Sequence, residues 1–139
     1  MSEWYFAHPY TAQSKGVKLR KYLERMSGVV LVNPFEMEEG LDPVTHAYRI
    51  VDGDLKAIAK SKGIVAWFPR LVGYPHIGTS MEICFARHVI GIPVIIYANP
   101  DVAKHPWLNV YGKVFTQISP LIEELKKYAE PIPDNRVAR

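Results

Sequence analysis

Cysteine is nearly absent from this chain: Cys84 stands alone among 139 residues. An internal disulfide is therefore excluded, and a reducing compartment is expected. Long apolar runs are missing too. The longest, Val89 to Ala98, is interrupted by Gly91 and Pro93 and falls far short of the ~20 residues that a spanning helix needs. Met1-Ser2-Glu3-Trp4 lacks the basic-then-apolar layout of a signal peptide, so a soluble, cytoplasmic protein with no membrane partner is expected. Charge of one sign is scarce. Lys plus Arg number 17 and Asp plus Glu 14, a net charge of +3, which is far from the basic surface of a nucleic-acid-polymer binder. The glycine-rich phosphate loops G-x-x-x-x-G-K-[ST] and G-x-G-x-x-G are absent, and so is the hydrolase elbow G-x-S-x-G. His8, His46, His76, His88 and His105 show no metal-ligand spacing, so neither a metal nor a cofactor is expected.

What is present is an ordinary globular composition. With 48% hydrophobic and 22% charged residues the chain can bury a core, and its length suits one domain, read as residues 1–130 with a tail over 131–139. Short apolar runs alternate with helical periods, the pattern of βαβ units. Trp4 to Ala7 reads as the first strand, with Tyr5 and Ala7 on one face and Trp4 and Phe6 on the other. Leu19, Tyr22, Leu23 and Met26 follow at helical spacing, and Gly28 stops that helix. Val29 to Val32, Ile64 to Phe68 and Val94 to Tyr97 read as strands buried on both faces, and Val114-Phe115 as a short last one. Residues 35–48 read as an acidic, irregular loop able to cover a site, and a helix starting within 44–54 carries Leu55, Ile58 and Ala59. Met81, Cys84, Phe85 and His88 mark the buried stripe of another helix, which makes His88 a core histidine. Residues 98–113 read as loop. Ser119-Pro120 opens the final helix, lined by Leu121, Ile122, Leu125 and Tyr128. The expectation is a three-layer, flavodoxin-like α/β fold around a five-stranded, mainly parallel sheet. Ligands of such sheets bind beyond the carboxyl ends of the strands, which selects residues 7–16, 33–40, 69–82 and 98–112.

Within those segments, His76-Ile77-Gly78-Thr79-Ser80-Met81-Glu82 follows a strand and opens a helix, as a ligand-binding loop would. Two readings of Glu82 are open. It is a carboxylate for chemistry, or it closes a capping box with Thr79. Asp52 and Asp54 are either solvated helix-face carboxylates or acids turned toward the same sheet edge. Tyr5 is either core or a hydroxyl serving the site. Cys84, on an apolar helix face, is a poor nucleophile.

Together, Tyr5-Phe6-Ala7-His8-Pro9-Tyr10, Asp54-Leu55, Ile64-Val65-Ala66, Gly78-Thr79-Ser80-Met81-Glu82 and Gly91-Ile92-Pro93-Val94 resemble the nucleoside 2-deoxyribosyltransferase family. That superfamily also holds 2'-deoxynucleoside 5'-phosphate N-hydrolases and pyrimidine-nucleotide N-glycosidases. The resemblance spans residues 4–97. It implies that Glu82 is the nucleophile at C1' of the sugar, that Asp54 assists the base or holds the sugar, and that Tyr5 orients the glutamate. It places His8, Thr11, His76, Gly78 and Thr79 among the substrate-binding residues, and Gly78-Thr79 looks like the nucleotide N-glycosidase branch. Six residues before the glutamate, transferases often carry aspartate and the phosphohydrolases serine. His76 stands there, which favours a nucleotide. Lys62-Gly63 replaces an acidic residue often found before the third strand. Thr11 stands where the hydrolases carry a phosphate-binding arginine, with Gln13, Ser14 or Lys15 able to compensate. Members are usually homo-oligomeric and complete each site from a neighbouring subunit. Asn109 is the candidate for that role, beside Trp107 and Tyr111.

The chemistry is coherent. N-glycosidic cleavage passes through an oxocarbenium-like state, which a carboxylate stabilises or captures, and a second carboxylic acid protonates the departing base. The expected activity is cleavage of a (deoxy)nucleoside or its 5'-monophosphate, by transfer to another base or by hydrolysis. A non-catalytic nucleotide-binding module is the alternative of another class.

Overall fold

The computed structural model describes residues 3–70 and 76–130. The middle of the 69–78 loop and the tail from 131 lie outside the described residues. Five strands, β1 (Glu3–Ala7), β2 (Val30–Val32), β3 (Ile64–Phe68), β4 (Val94–Ala98) and β5 (Lys113–Phe115), form one sheet in the order β2-β1-β3-β4-β5. Every pairing is parallel, with Tyr5 beside Val32 on one side and Ile64 on the other. The direction of strand addition reverses between β1 and β3, the place where an open parallel sheet leaves a crevice.

Strand alternation divides the core into two layers. Tyr5, Ala7, Ile64, Ala66, Phe68, Val94, Ile96 and Ala98 point to one face. They pack against Ile58 of α3 (Ala47–Lys60), Ile83 of α4 (Ile77–Phe85) and Leu108 of α6 (Pro106–Tyr111). Trp4, Phe6, Val65 and Ile95 point to the other, against Leu23 of α1 (Gln13–Ser27) and Leu121, Ile122 and Leu125 of α7 (Ile118–Lys126). Each fully buried leucine among these contributes about 1.5–3 kcal/mol of transfer free energy. The result is the expected three-layer flavodoxin-like architecture. α1 ends where Gly28 turns into the left-handed region at φ 80° and its amide bonds the Glu24 carbonyl at 2.9 Å.

Several local expectations are corrected. The acidic loop contains a short helix, α2 (Pro34–Met37), opened by Asn33, whose side chain accepts from the Phe35 amide at 2.9 Å. Residues 98–113 hold two more short helices, α5 (Pro100–Ala103) and α6, before β5 begins at Lys113. Each starts on proline after a capping side chain, Asn99 or His105. α7 begins at Ile118 after Gln117, so Ser119-Pro120 sits inside its first turn. Met26 is 43% exposed, because Leu23 carries the sheet-facing side of α1. Along the helix after β3 the expected stripe is rotated: Met81 is 68% exposed, and Cys84 and His88 are exposed. The buried side is Thr79, Ile83 and Ala86. Beyond Phe85 this helix widens into a π turn over Ala86–Ile90, and His88 reaches the Tyr111 hydroxyl at 2.8 Å rather than the core.

Candidate active site

Tyr5 sits in the middle of β1, fully buried, on the face covered by α3 and α4. Its hydroxyl donates to the Glu82 carboxylate. Glu82 lies one turn inside α4, next to the sheet-facing Ile83, and is half-buried. α4 opens at Ile77 after His76, with the Ser80 amide bonding the His76 carbonyl at 3.0 Å. Thr79 is therefore not the capping position, and the capping-box reading of Glu82 gives way to the bond with Tyr5. Asp54, half-buried on α3, lies close enough to the same pair for its charge to act on both Tyr5 and Glu82. Asp52, two residues earlier, instead pairs with Lys56 at 2.8 Å on the surface.

Glu38 joins this group. It caps the C-terminus of α2, is half-buried, and stands close enough to Asp54 for the two carboxyls to shift each other's ionisation. Sequence reasoning placed it only within an acidic stretch. Spacing alone could not say which of Glu36, Glu38 and Glu39 turns inward. The structure sorts them. Glu36 is held by Arg20 of α1, Nε to Oε2 at 2.7 Å and Nη2 to Oε1 at 2.9 Å, Glu39 is exposed, and Glu38 is half-buried within the influence of Asp54.

Crowding three carboxyls and a phenol raises the cost of ionising each. Burial, with the charge of Asp54 added, pushes Glu82 up to about 8, although the Tyr5 bond favours its ionised form. Burial and the bond to Asp54 push Glu38 up to about 9. Asp54 is raised by burial, while bonds from Glu38 and Tyr5 pull the other way. Tyr5 is raised by burial and by the acidic groups around it, so its hydroxyl stays a donor. The set can offer one carboxylate as nucleophile and another carboxyl as acid.

Two cavities open at this end of the sheet. One, of about 420 Å³, is walled by Tyr10, Phe35, Leu41, Ile50 and Val51, with Glu38 on its lining. The other, of about 920 Å³, is lined by Phe68, His76, Trp107 and Tyr111 and by Ser80, Met81, Ile83 and Cys84, which bracket Glu82 in sequence. A third hollow of about 450 Å³ gathers Thr11, Ser14, Lys15 and Arg70 around Trp67 and Pro69.

The other sequence candidates are distributed around these. His8 is buried. Its Nδ1 bonds the Pro9 carbonyl at 3.0 Å and its Nε2 the Asn33 amide nitrogen at 3.0 Å, so neither ring nitrogen is free. A Cβ at Gly16 would lie 2.5 Å from the same ring. His76 packs on Phe68 with ring centroids 5.0 Å apart, and its Nδ1 is buried without a partner. Burial lowers its pKa, with the nearby Pro69 backbone opposing. Gly78 leaves open space where a Cβ would stand. Thr79 is buried and its hydroxyl has no partner. Asn109 stands apart on α6 and donates to the carbonyls of Ala103 and His105, at 2.8 and 3.0 Å. Among the described residues no group of three or more His, Cys, Asp or Glu is arranged to hold a metal ion, and no helix is long and apolar enough to cross a membrane.

Comparison with solved structures agrees with this fold. The chain is similar to the 2-deoxyribosyltransferase of Bacillus psychrosaccharolyticus, with a TM-score of 0.65 and 16% identity over 95% of this chain and 100% of that one. It is also similar to a 2-deoxyribosyltransferase of Leishmania mexicana, with a TM-score of 0.51 and 18% identity over 70% of this chain and 65% of the other. No protein-family model matches the sequence, and no curated protein matches it. At these identities the likeness is one of fold.

Proposed function

We propose that this chain is a nucleoside 2-deoxyribosyltransferase-like enzyme that cleaves the N-glycosidic bond of a (deoxy)nucleoside or its 5'-monophosphate. The observation that carries this reading is the Tyr5–Glu82 hydrogen bond with Asp54 beside it, three groups brought together from β1, α3 and α4. The likeness in fold to two deoxyribosyltransferases supports it. Glu82 attacks C1' as the bond to the base nitrogen breaks, and the electron pair of that bond leaves with the base. Tyr5 holds the attacking carboxylate in one rotamer. Asp54 assists the departing base or holds the sugar. Water or a second base then attacks C1' and releases Glu82.

A nucleotide substrate is favoured by the hollow beside the start of α1. Thr11, Ser14, Lys15 and Arg70 supply two hydroxyls and two cations there, a suitable set for a 5'-phosphate. In that case the reaction is hydrolysis, releasing free base and sugar phosphate. Assembly into a homo-oligomer belongs to the same reading: Trp107 and Val110 of α6 are 64% and 73% exposed.

The test is incubation with deoxynucleosides and their monophosphates, with and without a second free base. Exchange of base identifies a transferase, and release of base without exchange identifies a hydrolase. Glu82→Gln, folded but inactive, is the expected control. A wild type that binds nucleotides yet releases no base would leave the non-catalytic module in its place.

A further inference from the structure

Glu38, one of the carboxyl cluster, lines a cavity. It projects from the end of a four-residue helix fixed at three points. Asn33 caps that helix and bonds His8, Phe35 packs on the His8 ring at 4.6 Å between centroids, and Arg20 grips Glu36. Glu38 is thereby held between Asp54 and a space of about 420 Å³ walled by Tyr10, Phe35, Ile50 and Val51. Two aromatic rings with aliphatic walls suit a planar heterocycle. The ionisable groups facing Glu38 are Asp54 of α3, Glu82 of α4 and Tyr5 of β1. The nearby Arg20 of α1 is engaged by Glu36 and Glu24.

Resting on the glycosidic reading above, we propose that Glu38, not Asp54, is the acid that protonates the departing base, and that Asp54 is the acceptor that fixes the Glu38 carboxyl in place. The two carboxyls are near enough to shift each other's ionisation, so one ionises far more easily than the other. Glu38 and Tyr5 both favour the carboxylate of Asp54, whereas Asp54 opposes ionisation of Glu38. The proton therefore resides on Glu38, on the cavity side. As Glu82 forms its ester with C1', the C1'–N bond breaks, its electron pair goes to the base, and the Glu38 proton moves onto the base. Glu38 is then a carboxylate beside a carboxylate, and so a strong base. It takes the proton of the incoming water or second base when that nucleophile displaces Glu82, which restores the starting state.

The experiment compares wild type, Glu38→Gln, Glu38→Asp and Asp54→Asn on two substrates. One is a deoxynucleoside whose base needs a proton to leave. The other is 4-nitrophenyl 2-deoxyriboside, whose phenolate leaves unaided. Glu38→Gln is expected to lose roughly 10²–10⁴-fold in kcat on the nucleoside, and far less on the activated glycoside. Its alkaline limb of kcat against pH should vanish, and Glu38→Asp should restore part of the rate and the limb. Equal loss on both substrates would overturn the assignment by making Glu38 structural. If Glu38→Gln fails to fold, Asp54→Asn decides. An alkaline limb that survives there but moves to lower pH supports Glu38, because the charge opposing its ionisation is gone, and a missing limb overturns it. A wild type inactive on nucleosides, monophosphates and the activated glycoside alike would instead sink the glycosidic reading itself.

Discussion

The Tyr5 hydroxyl donates to the Glu82 carboxylate across 77 residues of sequence, joining the middle of β1 to α4. The bond favours the ionised carboxylate against the burial that opposes it. Tyr5→Phe should therefore raise the pKa of Glu82 further. The acid limb of kcat/KM should move to higher pH, and kcat at pH 7 should fall by about 10- to 100-fold, the equivalent of roughly 1.4–2.7 kcal/mol. Thermal unfolding should show a loss of about 1–3 kcal/mol, the cost of leaving a buried polar group unpartnered. A pH–rate profile unchanged by the substitution would deny Tyr5 its orienting role.

The wild-type profile of kcat/KM should be a narrow bell. Activity rises as Glu82 ionises, near pH 8, and falls as Glu38 gives up its proton, near pH 9. A rate that is flat from pH 6 to pH 10 would exclude both assignments.

The same cluster makes stability depend on pH with a definite sign. Glu82 and Glu38 are raised above their ordinary value, so the folded state holds protons that the unfolded chain releases. Their contribution is complete below about pH 4.5 and is lost as pH rises through 8 to 9. Glu82→Gln removes one of these protonation costs. It should abolish turnover yet raise Tm at pH 9 by about 3 °C for roughly 1 kcal/mol, with little gain at pH 4.5. Equal shifts at both pH values would mean that Glu82 does not titrate in this range.

Lys15→Ala and Arg70→Ala probe the hollow beside α1. Loss of a charged phosphate contact should raise KM about tenfold for a 5'-monophosphate and leave KM for the nucleoside unchanged. Equal effects on the two substrates would remove the hollow from the phosphate reading.

Gly16→Ala brings a methyl group to within 2.5 Å of the His8 ring. His8 is bonded on both sides and cannot give way, so a destabilisation of about 1–3 kcal/mol is expected in urea unfolding. A variant as stable as wild type would show that the ring moves freely.

Much of the architecture was legible because β1, β3 and β4 are continuous apolar runs and Tyr5 to Ala7 alternate cleanly between two faces. The orientation of α4 was not. Ile77, Met81, Ile83, Cys84 and Phe85 ring the helix with apolar side chains, and the π turn over Ala86–Ile90 shifts the phase of any 3.6-residue pattern read through it. The helices around 100 and 106 are four and six residues long, too short to show a period. For the candidate site, Tyr5, Asp54 and Glu82 stood out in the sequence only through the order of motifs that resembles the nucleoside 2-deoxyribosyltransferase family, since each has an ordinary structural alternative. Glu38 was hidden because its inward turn is set by Arg20 holding Glu36, a contact between separate segments that local pattern cannot express.

The His8 ring receives the Asn33 amide on Nε2, so it is confined to the uncharged form that carries its hydrogen on Nδ1. Acid and alkali consequently strain this molecule at different places. Alkali charges the carboxyl cluster, while acid sets a second hydrogen on the imidazole facing a donor and cuts a side-chain tie between the segments that leave β1 and β2.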